Sequence, residues 1–314
     1  MLRRRRRGRV ALALALGLAF ALLAARARSA RAQDDEPDDD LRLPERLTVG
    51  VADDLLGQLS GDGQTLYYVS NRNTTNQLFA QTLADGRARQ LFDDDADVTW
   101  PRISPDGKWL LYISFGERAA GQLCVRSLPE GGARRCLEDP SAALQAEWID
   151  GTHIALLSRQ SIEGDLRLLD VTLSATLSAR PLLDRNLTSP TLSPDGRWLI
   201  YVPVERYVES VGPAFAAHAG PRLEAVLLGS SKPPTPIDLD LPGQVGQPAF
   251  ARDGRSLYVV QFFSDSNHDG VIDAADHGVL FRVPISLSGD APTVGVPEQL
   301  TDTSWNCQYP APAA

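Results

Sequence analysis

"ISPDGKWLLYIS" (residues 103–114) and "LSPDGRWLIYVP" (residues 192–203) are near-copies of one segment. Each reads as the end of a short strand, a tight Asp-Gly turn and a second strand rich in β-branched and aromatic residues. The Asp-Gly pair recurs at Asp62, Asp106, Asp150, Asp195 and Asp253, with spacings of 44, 44, 45 and 58. Four residues after each Asp stands an aliphatic residue, Leu66, Leu110, Ile154, Leu199 and Leu257, and two further on come Tyr68, Tyr112, Leu156, Tyr201 and Val259. A third strand follows as "QLFAQTL", "QLCVRSL", "DLRLLDV" and "VLFRVPI", and a fourth near "ARQLF", "ARRCL" and "EQLT". Four antiparallel strands in about 44 residues is the period of a propeller blade, a unit too small to bury a core until its neighbours stack on it. The expected fold is therefore all-β: a β-propeller of five recognisable four-stranded blades, or an incomplete six-bladed ring.

The two quoted segments resemble the WD40-like repeat of TolB and related bacterial exported propellers, over roughly residues 57 to 305. The blades fall near 57–100, 101–145, 146–189, 190–246 and 247–305, with 306–314 the start of a further, incomplete blade. Blade 3, "EWIDGTHIALLS", lacks the Ser-Pro before Asp150, and blade 4 carries an insertion, "ERYVESVGPAFAAHAGPRLEAV". The resemblance implies an interaction with a protein or cell-envelope component. Tyr207, Phe215 and His218 on the insertion are the expected contact surface, because loops carried by a rigid scaffold are where binding residues concentrate.

The ends of the repeat do not match. Thr48 precedes Asp62 by the same 14 residues by which Phe92 precedes Asp106, so "RLT" reads as an outer strand with no blade before it. After "EQLTDTSWNCQYPAPAA" the next Asp-Gly pair would fall at position 315. Two alternatives stand: five blades close on themselves with frayed ends, or the chain belongs to a longer product with six or more blades.

Upstream, Arg3 to Arg7 and Arg9 precede the apolar run Val10 to Ala25 and an Ala30-Arg31-Ala32 site, the layout of an export signal cleaved before Gln33. Residues 1–32 are expected to be removed and 33–42, with the charge run "DDEPDDD", to form an acidic tether. The mature chain is then periplasmic or secreted and not embedded in a membrane. Loss of nine arginines changes 31 basic and 40 acidic residues to 22 and 40, and the net charge from −9 to −18. Such a surface repels phosphate backbones, which excludes nucleic acid as a partner. Export permits disulfides. Cys124 and Cys136 lie symmetrically about Glu130 in "LCVRSLPEGGARRCLE", across an expected hairpin turn, and are expected to bridge, leaving Cys307 single.

The strongest chemical signal is "DSNHDGVIDAAD" (residues 265–276). Asp265, Asn267 and Asp269 stand at loop positions one, three and five, the Val271 carbonyl at seven, Asp273 at nine and Asp276 at twelve, with Gly270 at the sharp turn. That is an all-oxygen set suited to Ca²⁺. The flanks "LYVVQFF" and "VLFRVPI" read as strands, so no helix pair exists to open, and the expected ion is a structural staple rather than a switch.

Catalytic signatures are absent: there is no Gly-x-Ser-x-Gly elbow, no His-Glu-x-x-His and no phosphate-binding Gly-rich loop. The innermost strands place Gln58, Arg102, Glu147, Thr191 and Ala249 at the channel, where one carboxylate does not make an acid–base pair. The sequence thus points to a non-catalytic scaffold. The alternative is a calcium-containing propeller hydrolase or lyase acting on a saccharide or phosphate ester.

Overall fold

The computed structural model describes residues 45–312 except 49, 117–119, 129–131, 140, 161–165, 184, 210–211, 218–221, 271, 273 and 290; of residues 205–209 and 212–217 it describes the backbone only. The export signal and tether lie outside the described residues, as do His218 and the side chains of Tyr207 and Phe215.

Among the described residues twenty-two strands form five sheets. Blade 1 holds β1 (Asp54–Leu59), β2 (Thr65–Asn73), β3 (Thr75–Thr82) and β4 (Ala88–Gln90). Blade 2 holds β5 (Asp97–Ile103), β6 (Trp109–Phe115), β7 (Gln122–Ser127) and β8 (Arg135–Cys136). In blade 3 the strands are β9 (Ala142–Trp148), β10 (His153–Arg159), β11 (Leu166–Thr172) and β12 (Ser178–Leu183). Blade 4 comprises β13 (Leu187–Leu192), β14 (Trp198–Glu209), β15 (Gly212–Ala217), β16 (Arg222–Leu227) and β17 (Thr235–Asp238). Blade 5 comprises β18 (Gln244–Phe250), β19 (Ser256–Phe262), β20 (Gly278–Ser286), β21 (Thr293–Val294) and β22 (Glu298–Gln299). Every sheet is an antiparallel meander from its innermost strand outward. The blade 4 insertion is an extension of β14 that folds back as β15, with Glu209 opposite Gly212, so the third strand of that blade is β16. The metal-loop sequence joins β19 to β20, the second and third strands of blade 5.

The Asp-Gly register has a mechanical cause. Gly63, Gly107, Gly196 and Gly254 all have φ between 67° and 72°, the left-handed region that glycine enters without steric cost. In blades 1, 2 and 4 a serine two residues before the Asp locks the turn. Its hydroxyl donates to Asp62, Asp106 or Asp195 at 2.5–2.6 Å and accepts the first N–H of the next strand at 2.9 Å. Those serine hydroxyls hold the Asp106 and Asp195 carboxyls below the usual carboxylate range, helped by the Lys108 and Arg197 amides. Because these pKa values are lowered on folding, the stabilisation is present above the unfolded value of 3.8 and is lost as pH falls through the folded ones. Ser104→Ala should therefore cost about 1 kcal/mol at neutral pH in a urea titration, and the difference from wild type should shrink at the acid end to what the lost Trp109 amide bond alone contributes.

Middle strands such as β6 are buried on both faces, because blade 2 packs against blade 1 on one side and blade 3 on the other. Four cores lie between successive blades. Leu111, Ile113, Leu123 and Val125 of blade 2 cover Ile154 and Leu156 of blade 3, and Ile200, Val202, Leu223 and Ala225 of blade 4 cover Leu257 and Val259 of blade 5. The other two, between blades 1 and 2 and between blades 3 and 4, follow the same scheme. Cys124 lies opposite Cys136 across β7 and β8 and is bonded to it, with Cα atoms 4.0 Å apart; Cys307 is a free thiol.

Candidate functional site

The innermost strands share one distortion. Register breaks fall within β1, β5, β13 and β18, and there Leu56, Trp100, Ser189 and Gln247 adopt φ of 49–56°. Such left-handed backbone is strained for residues with a Cβ. The bulge re-aims the following side chains toward the axis, where sheet twist alone would not send them. Tyr309, outside any strand, has φ 53°. Three of the four strand positions and Tyr309 precede a proline: Pro101, Pro190, Pro248 and Pro310.

Three of the inner strands, β5, β13 and β18, are latched to the previous blade. The Gln58 side-chain carbonyl accepts the Ile103 amide at 2.7 Å, Gln145 accepts that of Ser189 at 3.0 Å, and Thr191 accepts that of Phe250 at 3.4 Å. Gln247 accepts the amide of Tyr309, so residue 309 bears the same relation to blade 5 that Ser189 bears to blade 3. Cys307 donates its amide to the Gly278 carbonyl at 2.8 Å. Segment 306–312 thereby runs down the free flank of blade 5 and brings the Tyr309 ring edge-on to Trp100 of blade 2, centroids 5.7 Å apart.

Gln58, Arg102, Glu147, Thr191 and Ala249 all line one central pocket, together with Trp100, Trp148, Ser189, Gln247, Arg252 and Tyr309. Glu147 is not simply solvated. Arg102 Nε donates to its Oε1 at 2.8 Å, the two side chains being 13% and 23% exposed. The Arg102 guanidinium also lies 4.6 Å from the centre of the Trp100 ring, a cation–π contact. Trp100 Nε1 donates to the Ala146 carbonyl and Trp148 Nε1 to that of Arg102, both at 3.0 Å. Burial pushes the Glu147 carboxyl above its usual range, and the Arg102 charge pulls it only part of the way back. The result is a rigid aromatic and ion-paired wall with two exposed groups at its rim, Arg252 and Tyr309. Sequence reasoning passed over Trp100, Ser189, Gln247 and Tyr309. The dipeptides Trp-Pro, Ser-Pro and Gln-Pro, six residues before Asp106, Asp195 and Asp253, with a matching Tyr-Pro in the tail, were the available signal.

In the 265–276 loop, Asp265 accepts the amides of Asp269 at 3.1 Å and Gly270 at 2.9 Å, and Asn267 Oδ1 accepts that of Asp269 at 3.0 Å. Gly270 has φ 88° at the sharp turn. Asp276 is fully buried, its Oδ1 accepting the Ser266 and Asn267 amides and the Ser266 hydroxyl. Val271 and Asp273 lie outside the described residues. Among the described residues no three His, Cys, Asp or Glu side chains converge on a common point, so the loop shows the turn and the oxygen chemistry of a calcium loop but not an assembled set of ligands. The loop is tied to the tail, since Gln308 Nε2 donates to the carbonyls of Ala274 and Asp276 at 3.3 Å.

No family model matches the chain. Over 154 residues, 48% of its length, it is 26% identical to the protein TolB homolog of Chlorobium chlorochromatii, and that stretch spans about a third (34%) of the relative. Among solved structures it superposes on a putative TolB from Agrobacterium tumefaciens with TM-score 0.56 at 16% identity, covering 83% of this chain and 86% of that one. A puromycin-hydrolysing peptidase from Mycobacterium tuberculosis superposes with TM-score 0.53 at 17% identity, over 80% of this chain and 37% of that one. Identities this low carry the fold and not the activity.

Proposed function

We propose that this TolB-type β-propeller is a non-catalytic scaffold, exported across the inner membrane, that takes a protein or cell-envelope partner at its channel mouth. What supports the reading is the state of Glu147. It is the one carboxylate among the described residues lining the pocket, and its charge is already engaged by Arg102. Propeller glycosidases need two carboxylates at a working separation, one of them a proton donor. A wall of Trp100, Trp148 and Tyr309 with an Arg at its rim is instead the composition of a binding hot spot. Arg252 and Tyr309 carry the contact. Capture from envelope extracts should yield a partner with the wild-type chain and lose it with Arg252→Ala/Tyr309→Ala at unchanged melting temperature. Release of sugar or phosphate from those extracts, abolished by Glu147→Gln, would favour a hydrolase instead.

The loop at 265–276 supplies the second element of the proposal. Asp265, Asn267, Asp269, the Val271 carbonyl, Asp273 and Asp276 hold one Ca²⁺, which neutralises four clustered carboxylates and staples the long β19–β20 connection. Millimolar calcium should then raise the melting temperature over that in chelator, by an amount corresponding to about 2–3 kcal/mol if calcium is near 100 times its Kd. Asp265→Ala/Asp269→Ala should remove the rise. A wild type that melts identically in calcium and chelator refutes the site.

A further inference from the structure

We infer that the channel pocket recognises a carboxylate, which the partner presents on a chain end or an acidic side chain to Arg252 and to a set of inward-facing amide and hydroxyl donors. This names the partner chemistry of the channel mouth and rests on that reading of the site. What carries it is which end of each latching side chain is spent. Gln58 and Gln247 both line the pocket, and in each the side-chain oxygen accepts a backbone amide, that of Ile103 at 2.7 Å and that of Tyr309. A backbone N–H can only donate, so the orientation of each side-chain amide is fixed and its donor end, Nε2, is left over. Neither Nε2 has an acceptor among the described residues, although Gln247 is only 7% exposed. Thr191, 9% exposed, repeats the arrangement: its hydroxyl oxygen accepts the Phe250 amide at 3.4 Å, and its proton has no acceptor among the described residues.

Arg252 supplies the charge. Arg72, Arg102 and Arg126 are each committed to a carboxylate, Asp54, Glu147 and Asp94. Arg252 lines the same pocket as Gln58 and Gln247 and has neither a hydrogen bond nor an ion pair among the described residues. Its guanidinium lies against Gly61 of blade 1, where a Cβ would come within 3.0 Å of Nη1, so the glycine leaves room for it. Asp62 and Asp106, which line the adjoining cleft with it, accept the Ser60 and Ser104 hydroxyls instead. Buried donors without an acceptor in the protein are complementary to a group that only accepts. A carboxylate is such a group, and its two oxygens match the fork of one guanidinium. The charge count agrees. Arg102 and Glu147 cancel, so Arg252 leaves the described pocket with a single positive charge, which suits a carboxylate, while Glu147 in the same wall opposes the second charge of a phosphate dianion.

N-acetylglycine and N-acetylglycinamide differ in the carboxylate alone and test this directly. Titrated into the full chain and followed by tryptophan fluorescence and melting temperature, the acid should bind saturably in the millimolar range and the amide should not. N-acetylaspartate methylamide, whose carboxylate is on a side chain, separates the two sources: tighter binding than N-acetylglycine assigns the pocket to an acidic side chain, weaker binding to a chain end, and either supports the proposal. Arg252→Gln should weaken the acid by roughly tenfold or more. Gln58→Glu keeps an oxygen for the Ile103 amide but replaces the inward donor with a second acceptor, and should weaken it as much while circular dichroism shows the sheets intact. Absence of saturable acid binding, equal binding of acid and amide, or acid binding that either substitution leaves unchanged overturns the proposal. Inorganic phosphate binding more tightly than both carboxylates overturns it equally. A partner captured from envelope extracts through Arg252 and Tyr309, with no preference for the acid, defeats this inference and leaves the channel-mouth reading; carboxylate binding with no captured partner does the reverse.

Discussion

Tyr112→Ala is expected to be among the most damaging single truncations in the ring, lowering stability by about 3–5 kcal/mol. Tyr112 is fully buried in the core between blades 1 and 2. Removing its ring opens a cavity that two rigid sheets cannot close, and it also takes away a hydrogen-bond acceptor. Arg126 Nε donates to the Tyr112 hydroxyl at 3.1 Å while Arg126 Nη2 holds Asp94 at 2.6 Å, so the pair that ties blade 2 to the end of blade 1 loses one of its supports. Tyr112→Phe separates the two effects. It keeps the ring and drops the hydroxyl, at a cost of about 1 kcal/mol. Urea titrations of the three proteins give the comparison, and an alanine variant within 1 kcal/mol of wild type would contradict the inter-blade packing described here.

The second large effect is expected at Arg102. Arg102→Ala leaves Glu147 in a largely buried place without its counter-charge, a loss of roughly 3 kcal/mol at pH 8. The pH dependence identifies the cause. A carboxyl whose folded pKa is raised contributes stability that is fully present below its unfolded value, 4.5, and lost as pH rises through the folded one. Deleting Arg102 raises that folded pKa further, so the variant should approach wild type near pH 4.5 and fall away from it above neutrality. Arg102→Ala/Glu147→Gln should recover most of the loss at pH 8, because a neutral amide needs no cation beside it. An Arg102→Ala penalty that is independent of pH would mean that only packing against Trp100 was lost.

The blades were legible from the sequence because one turn repeats with a physical requirement: a glycine at positive φ, followed at fixed distances by residues that must be apolar on both faces. The disulfide was legible because Cys124 and Cys136 flank a hairpin turn symmetrically. Blade 3 could be read despite lacking the Ser-Pro, and the structure shows what replaces the serine latch: Asp150 accepts the Thr152 and His153 amides and the Thr152 hydroxyl. The five channel positions were also located correctly, yet the role of Glu147 was not. Its partner Arg102 is 45 residues away on another blade, and nothing within a single repeat indicates that the two side chains meet. For the tail, residues 306–314 were read as the start of a further blade, but the contact of Tyr309 with Trp100 was not foreseen. Alignment of Tyr309-Pro310 with Trp100-Pro101 and Gln247-Pro248 is what relates residue 309, which lies outside any strand, to the bulged positions of the inner strands.

A crystal structure of the chain tests the central claim, that a repeated Asp-Gly hairpin builds a ring of sheets around the Arg102–Glu147 wall with the tail set beside blade 5. Five antiparallel sheets should appear with Gly63, Gly107, Gly196 and Gly254 at equivalent points, Glu147 within hydrogen-bond reach of Arg102, and the Tyr309 ring edge-on to Trp100. Turns falling at unrelated points of the sheets, or a Tyr309 ring far from the channel, would contradict it.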